Sequence, residues 1–215
     1  MNPSASPPAT SRAWHSLLPW PTQDEADGRP SPQLWALASC SSAGLRLAYR
    51  LIWPPTDCTV MVPQRPAGAC GDPQRRDGLW QHTCFEAFVG VLGADNYWEF
   101  NLSPSGDWNV YRFSGYRTGQ APELAYSQLP LTLMGPRAAP PLADCRLGAP
   151  RALVELELSC ALPPLLQDRV LNGAPLELGL TAVLEGQDGE LSYWALGHPA
   201  SEPDFHDRRG WLLRL

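Results

Sequence analysis

The chain has 215 residues and a formal net charge of −6 with no long acidic run, a length better suited to one well-buried core than to two. The negative balance argues against nucleic-acid backbones and anionic membranes as partners. All 16 basic residues are arginine, which excludes Schiff-base and phosphate-loop lysine chemistry; with abundant Ala, Pro and Gly it points to a GC-rich bacterial genome.

Met1 to Thr22 is rich in Pro and Ser and has neither a basic n-region nor an apolar h-region, so no secretory signal is read there. This segment is expected to be poorly ordered, ahead of one domain over 23–215. No stretch has the length and apolarity of a membrane span. The expected location is cytoplasmic, where the six cysteines stay reduced. None of them forms a C-x-x-C pair, so no zinc ribbon or thioredoxin-type site is encoded.

Prolines cluster between the apolar runs, at Pro54-Pro55, Pro63 to Pro73, Pro136 to Pro141 and Pro163-Pro164, and act as punctuation. Between them the period is two. Leu45, Leu47, Tyr49, Leu51 and Trp53 alternate with more polar neighbours, as do Val154, Leu156 and Leu158; each run predicts a strand with one wet face. A short helix is expected near Pro163 to Val170. Leu176 to Glu185, the acidic turn Gly186 to Gly189 and Leu191 to Leu196 predict a hairpin, and Trp211 to Leu215 a closing strand. The fold class is therefore all-β, an antiparallel sandwich with at most one or two short helices.

Trp80 to Tyr116 carries most of the chemistry. Trp98, Phe100 and Leu102 point one way along a strand and Tyr97, Glu99 and Asn101 the other. With an even-numbered connection through Ser103-Pro104-Ser105-Gly106, Trp98 and Phe100 share a face with Tyr111 and Phe113. The opposite face then gathers Glu99, Asn101, Trp108 and Arg112, with Glu99 and Arg112 as a cross-strand ion pair; an odd connection reverses the assignment. Upstream, Glu86 is flanked by apolar residues on both sides. It ties its strand to a loop through a salt bridge or hydrogen bond, or it joins Asn101 and Arg112 in directional bonds to a polyhydroxylated ligand whose apolar face an indole covers.

The run Trp80-x-x-x-Cys84-Phe85-Glu86-x-Phe88, followed by Tyr97-Trp98-Glu99-Phe100-Asn101-x-Ser103-Pro104-x-Gly106-x-Trp108 and later Tyr193-Trp194-Ala195-Leu196 before His198-Pro199, resembles the DOMON-like superfamily, in its branch related to family 9 carbohydrate-binding modules. That resemblance implies a jelly-roll-like sandwich in which two tryptophans clamp a terminal sugar beside Glu, Asn and Arg groups. It carries over to Trp80, Glu86, Asn101 and Trp194; with Trp108 and Arg112 from the strand pattern, these are the expected ligand-binding residues on an exposed sheet face, with a small carbohydrate or other polar small molecule as the partner and no catalysis. Cys84 and the His-Thr before it depart from the sugar-binding pattern. Some superfamily members hold haem, but Met61 and Met134 sit in no ligand motif, and no cofactor is expected.

Three alternatives stand beside this reading. The sandwich serves structure or protein interaction without a small ligand. The loop His198 to Arg209 holds a divalent ion through His198, Asp204 and His206, or, on the plainer view, is an ion-pair tangle folded over a sheet edge. His82 and Cys84, two apart on a strand, form a thiolate–imidazole couple.

Overall fold

A computed structural model of the chain describes residues 13–20, 32–53, 60–64, 72–138 and 152–215. In chain order its elements are β1 (His15–Ser16), β2 (Leu18–Pro19), β3 (Gln33–Ser41), β4 (Gly44–Trp53), β5 (Val60–Met61), β6 (Cys84–Val91), β7 (Tyr97–Leu102) and β8 (Trp108–Phe113). There follow β9 (Ala121–Pro122), β10 (Leu131–Ala138), β11 (Ala152–Cys160), α1 (Pro164–Leu171), β12 (Leu176–Gly186), β13 (Leu191–Ala195) and β14 (Leu213–Arg214). The period-two runs have become strands and the proline-led segment a helix. Residues 15–19, at the end of the Pro/Ser-rich segment, add a short edge strand to each sheet. Cys58, Cys70 and Cys145 lie outside the described residues.

The strands form two antiparallel sheets packed as a sandwich. One has the order β1-β3-β4-β11-β10; the other runs β2-β13-β12-β6-β7-β8-β9, with β5 and β14 also pairing with β12. Between them lies the main core, built from alternate residues of each strand: Tyr49, Leu51, Val154 and Leu156 from the first sheet, Phe85, Ala87, Trp98, Phe100 and Leu180 from the second. Tyr49 joins the layers by donating its hydroxyl to the Glu86 carbonyl at 2.5 Å while its ring stacks on Phe85. The other face of the first sheet is wet, as its alternation requires, and carries the pairs Arg46–Glu157 and Arg50–Glu155. Such partly exposed pairs contribute about 1 kcal/mol or less each.

The register between β7 and β8 differs from the expected one. Leu102 pairs with Trp108, leaving five residues, 103–107, in the connection. The turn closes with the Ser103 amide donating to the Asp107 carbonyl and the Gly106 amide to the Ser103 carbonyl, both at 2.9 Å, and Gly106 supplies the positive φ it needs. An odd connection reverses the faces. Trp98, Phe100 and Leu102 therefore share the inner face with Trp108 and Val110, whereas Tyr97, Glu99 and Asn101 look outward with Asn109, Tyr111 and Phe113. Glu99 stands opposite Tyr111, and Arg112 is exposed opposite Trp98, so the Glu99–Arg112 pair does not form.

Nor is this outer face open. The loop after β13, expected over a sheet edge, lies across the face instead and places Phe205, His206 and Trp211 against Phe88, Tyr97 and Phe113. Arg208 ties it down, donating to Glu177 Oε1 at 2.6 Å and to the Asn96 carbonyl at 3.0 Å while lying over the Trp211 ring. Two strand glycines make the room. A Cβ on Gly179 would stand 2.5 Å from Trp211 Cδ1, and one on Gly90 2.5 Å from an Arg208 guanidinium nitrogen. Gly179→Ala is accordingly expected to push Trp211 off the sheet and lower the unfolding free energy by about 1–3 kcal/mol. Urea denaturation followed by tryptophan fluorescence checks this, and an unchanged midpoint would contradict the packing.

Candidate functional site

Pleating sets the floor of the site. Thr181, Glu86, Asn101 and Asn109 form one outward row across β12, β6, β7 and β8, and Gly179, Phe88, Glu99 and Tyr111 form the next. Glu86 and Glu99 are thus diagonal neighbours on adjacent strands, a relation that brings long side chains within reach of each other. Above them the loops leave a cavity of about 420 Å³ lined by both glutamates, Trp80, Phe88, Phe113, Arg117, Gln120, Tyr193, Phe205 and His206, among others. That volume lies within the range of small-molecule sites.

Trp80 reaches the rim from a 3₁₀ turn, Leu79–Gln81, entered through Gly78 in the left-handed conformation. Its ring meets Tyr111 edge-on at 5.9 Å, and 37% of the residue stays exposed. The approach is braced by Asp77, whose carboxylate accepts from the Tyr111 hydroxyl at 2.6 Å and from Asn109 Nδ2 at 2.9 Å.

Both floor carboxyls are almost fully buried. Glu99 Oε1 accepts from Asn101 Nδ2 at 2.6 Å, and Oε2 stands 3.8 Å from His206 Nε2. Burial raises the Glu99 carboxyl to about 7, against the opposing effects of the Asn101 bond and the Arg117 charge. Glu86 is pushed well above the usual carboxylate range, first by burial and then by the charge of Glu99, and its Oε1 has no hydrogen-bond partner. His206 is lowered to about 4 by burial and by the nearby Arg117 charge, so its ring is neutral at pH 7. Its Nδ1 meets the Tyr97 hydroxyl at 2.7 Å, and that hydroxyl also accepts from the Arg117 amide at 3.3 Å. Because the Arg117 amide can only donate, Nδ1 serves as the acceptor for the Tyr97 O–H, and the neutral ring then carries its proton on Nε2, the nitrogen 3.8 Å from Glu99.

The residues singled out from sequence divide by strand parity. Trp80 and Glu86 line the cavity, and Asn101 lies beneath it, holding Glu99. Trp108 and Trp194 instead point into the main core. Trp108 lies under the Arg75 guanidinium, 4.4 Å from its ring centroid, and the Trp194 indole donates to Ser192 Oγ at 3.0 Å. Arg112 is at the surface and does not line the cavity. Tyr193, one residue before Trp194, takes the outward position, as alternation along β13 requires. Arg117, Gln120 and Phe205 come from loops, where no periodicity announces them. The outer face thus carries a cavity partly covered by loops with one indole at its rim, in place of the expected open face lined by several.

The other candidate groupings separate in space. His82 is exposed and pairs with Glu185 at 2.8 Å, whereas Cys84 is buried, with its thiol raised well above the ordinary value by burial and by Glu86; the couple does not form. His198 Nε2 lies 2.9 Å from the Leu18 carbonyl, Asp204 binds Arg117 and Tyr116, and His206 faces Tyr97. Among the described residues no group of three or more His, Cys, Asp or Glu converges as a metal site.

Scans of family models and of curated proteins return no significant match. Among solved structures, the fold resembles that of a protein from Bacteroides uniformis ATCC 8492 described as a proposed carbohydrate-binding protein. The TM-score is 0.56 at 12% sequence identity, over 93% of this chain and 84% of that one. At that identity the likeness establishes the two-sheet fold.

The buried glutamates make a pH prediction. A carboxyl whose folded pKa is raised favours the protonated fold, so its stabilising contribution is complete below its unfolded value near 4.5 and is lost as pH rises through about 7. His206, lowered to about 4, contributes the opposite slope below 6.5, so the informative quantity is the difference between wild type and variant. Glu99→Gln is expected to gain on wild type by on the order of 1–3 kcal/mol between pH 5 and pH 8, read from urea denaturation at both values. A difference independent of pH would contradict the assignment.

Proposed function

We propose that the chain is a non-catalytic binding module that takes a small carbohydrate or polyol into the cavity above Glu86 and Glu99. The observation that carries this reading is Glu86 Oε1, an acceptor buried at the cavity floor without a hydrogen-bond partner. An unsatisfied buried polar atom costs about 1–3 kcal/mol, and turning the Glu86 carboxyl toward the cavity that the residue lines would let a ligand hydroxyl or amine satisfy it.

The lining supports a ligand with both polar and apolar faces. Glu86, Glu99, Gln120, Arg117 and the His206 Nε2 proton offer directional bonds, and the rings of Trp80, Tyr193 and Phe205 offer flat apolar surface. Sugars present alternating hydroxyls and C–H faces that suit such a wall. The resemblance of the Trp80–Trp108 run to carbohydrate-binding modules and the description of the Bacteroides protein point the same way. A covalent role finds little support, since Cys84 is held as a neutral thiol and has no imidazole beside it.

Titration with a panel of mono- and disaccharides is expected to change tryptophan fluorescence saturably, because Trp80 borders the cavity. Trp80→Ala is expected to weaken binding by about tenfold or more, the magnitude of losing one aromatic platform. A flat response across the panel, confirmed by calorimetry, would overturn the reading.

A further inference from the structure

The charge arrangement in the cavity is lopsided, and this narrows the ligand. Glu86 and Glu99 are two acids on one floor; among the described residues no basic side chain is hydrogen-bonded to either, and His206 stands 3.8 Å from Glu99. The cation on the lining, Arg117, gives its guanidinium to Asp204 at 2.8 Å, and Asp204 is bonded further by the Tyr116 hydroxyl and the His206 amide. His82, two residues beyond Trp80, is matched by Glu185. Cys84, Tyr97 and Tyr111, which face the pair from β6, β7 and β8, are all raised and so neutral at pH 7. Asp77 is occupied by Tyr111 and Asn109. Arg117 acts on Glu99 as a charge at a distance that it shares with Asp204, so positive charge is in short supply at Glu86 and Glu99.

Around that deficit stand aromatic rings. Trp80, Phe88, Phe113, Tyr193 and Phe205 all contribute to the wall, and ring faces attract cations through their quadrupoles, most strongly where water is excluded. Acidic floor and aromatic wall favour the same charge on the guest. Resting on the binding-module reading, we propose that this cavity selects a cationic ligand, an amine-bearing sugar or polyol whose ammonium group sits against Glu86 and Glu99 while its hydroxyls meet Gln120 and the His206 Nε2 proton. In the empty cavity, protons on the two carboxyls take the place of that cation.

Because ligand cation and carboxyl protons compete, affinity is expected to increase as pH rises through the titration of Glu99. The test uses the full chain and two matched probe pairs, N-methyl-D-glucamine against D-sorbitol and D-glucosamine against N-acetyl-D-glucosamine, titrated calorimetrically at pH 5.5 and pH 7.5. Each amine is expected to bind at least tenfold more tightly than its neutral counterpart at pH 7.5. For N-methyl-D-glucamine the advantage is expected to shrink severalfold at pH 5.5, and in Glu86→Gln at either pH.

Equal affinity for charged and neutral partners, or tighter binding of N-methyl-D-glucamine at the lower pH, would overturn the cationic selection and leave the sugar-binding reading intact. Absence of binding by all four probes and by the wider saccharide panel would overturn both. The comparison of ligands on the wild-type chain requires no variant to fold, and retained near-ultraviolet circular dichroism qualifies Glu86→Gln.

Discussion

Everything at the site follows from the alternation of side chains along β7 and β8 and from the five-residue turn between them. A strand has two faces, and the length of a connection decides which residues of the next strand share them. With 103–107 in the turn, Trp98, Phe100, Trp108 and Val110 fill the sandwich, and Glu99, Asn101, Asn109, Tyr111 and Phe113 are committed to the other side. Those side chains would face water on an ordinary two-layer sandwich. Here the segment carrying Phe205, His206 and Trp211 roofs them, anchored by Arg208 on Glu177 and admitted by the bare backbones of Gly90 and Gly179. A cavity results because the roof packs tightly over Phe88, Tyr97 and Phe113 and leaves room beside Glu86 and Trp80.

Roofing the face changes the chemistry of its acids. On an open sheet two diagonal glutamates would be ordinary ionised carboxylates. Under the loop both are driven toward the protonated form, Glu99 to about 7, because burial removes the water that stabilises their charge. Asn101 and His206 position Glu99, Glu86 retains a free acceptor, and the basic groups nearby are engaged elsewhere. Such a floor costs the fold stability, as departures from local rules do.

Much of this was legible in the sequence. The period-two runs located β4, β6, β7, β11, β12 and β13 but not β3 or β10, the prolines located α1, and Glu86 stood out as a carboxylate among apolar neighbours. Trp80 was marked by the motif it opens. The turn parity was not legible: Ser103-Pro104-Ser105-Gly106 announces a reversal, but local composition does not reveal whether Asp107 belongs to the turn or to the strand. That one residue sent Trp108 to the core and broke the expected partnership of Glu99 with Arg112. Trp194 misled for a related reason, since its large ring suits a sugar platform and a core equally well, and Tyr193 holds the outward place. The roof was hidden because the ring contacts of Phe205, His206 and Trp211 with β6, β7 and β8 are long-range. Gly90 and Gly179 were the available signal, as glycines inside strands mark close approach of another group.

The central claim is that Glu86 and Glu99 are buried together on a cavity floor with no cation hydrogen-bonded to either among the described residues, and carboxyl ionisation reports on it directly. In ¹³C-labelled protein, the side-chain carboxyl resonances of the glutamates can be followed from pH 3 to pH 9 and the two sites assigned through Glu86→Gln and Glu99→Gln. The account predicts two glutamates titrating far above the others, that of Glu99 near 7, with Glu86 shifting downward once Glu99 is neutralised by substitution. Ordinary titration of every glutamate near 4.5 would contradict it.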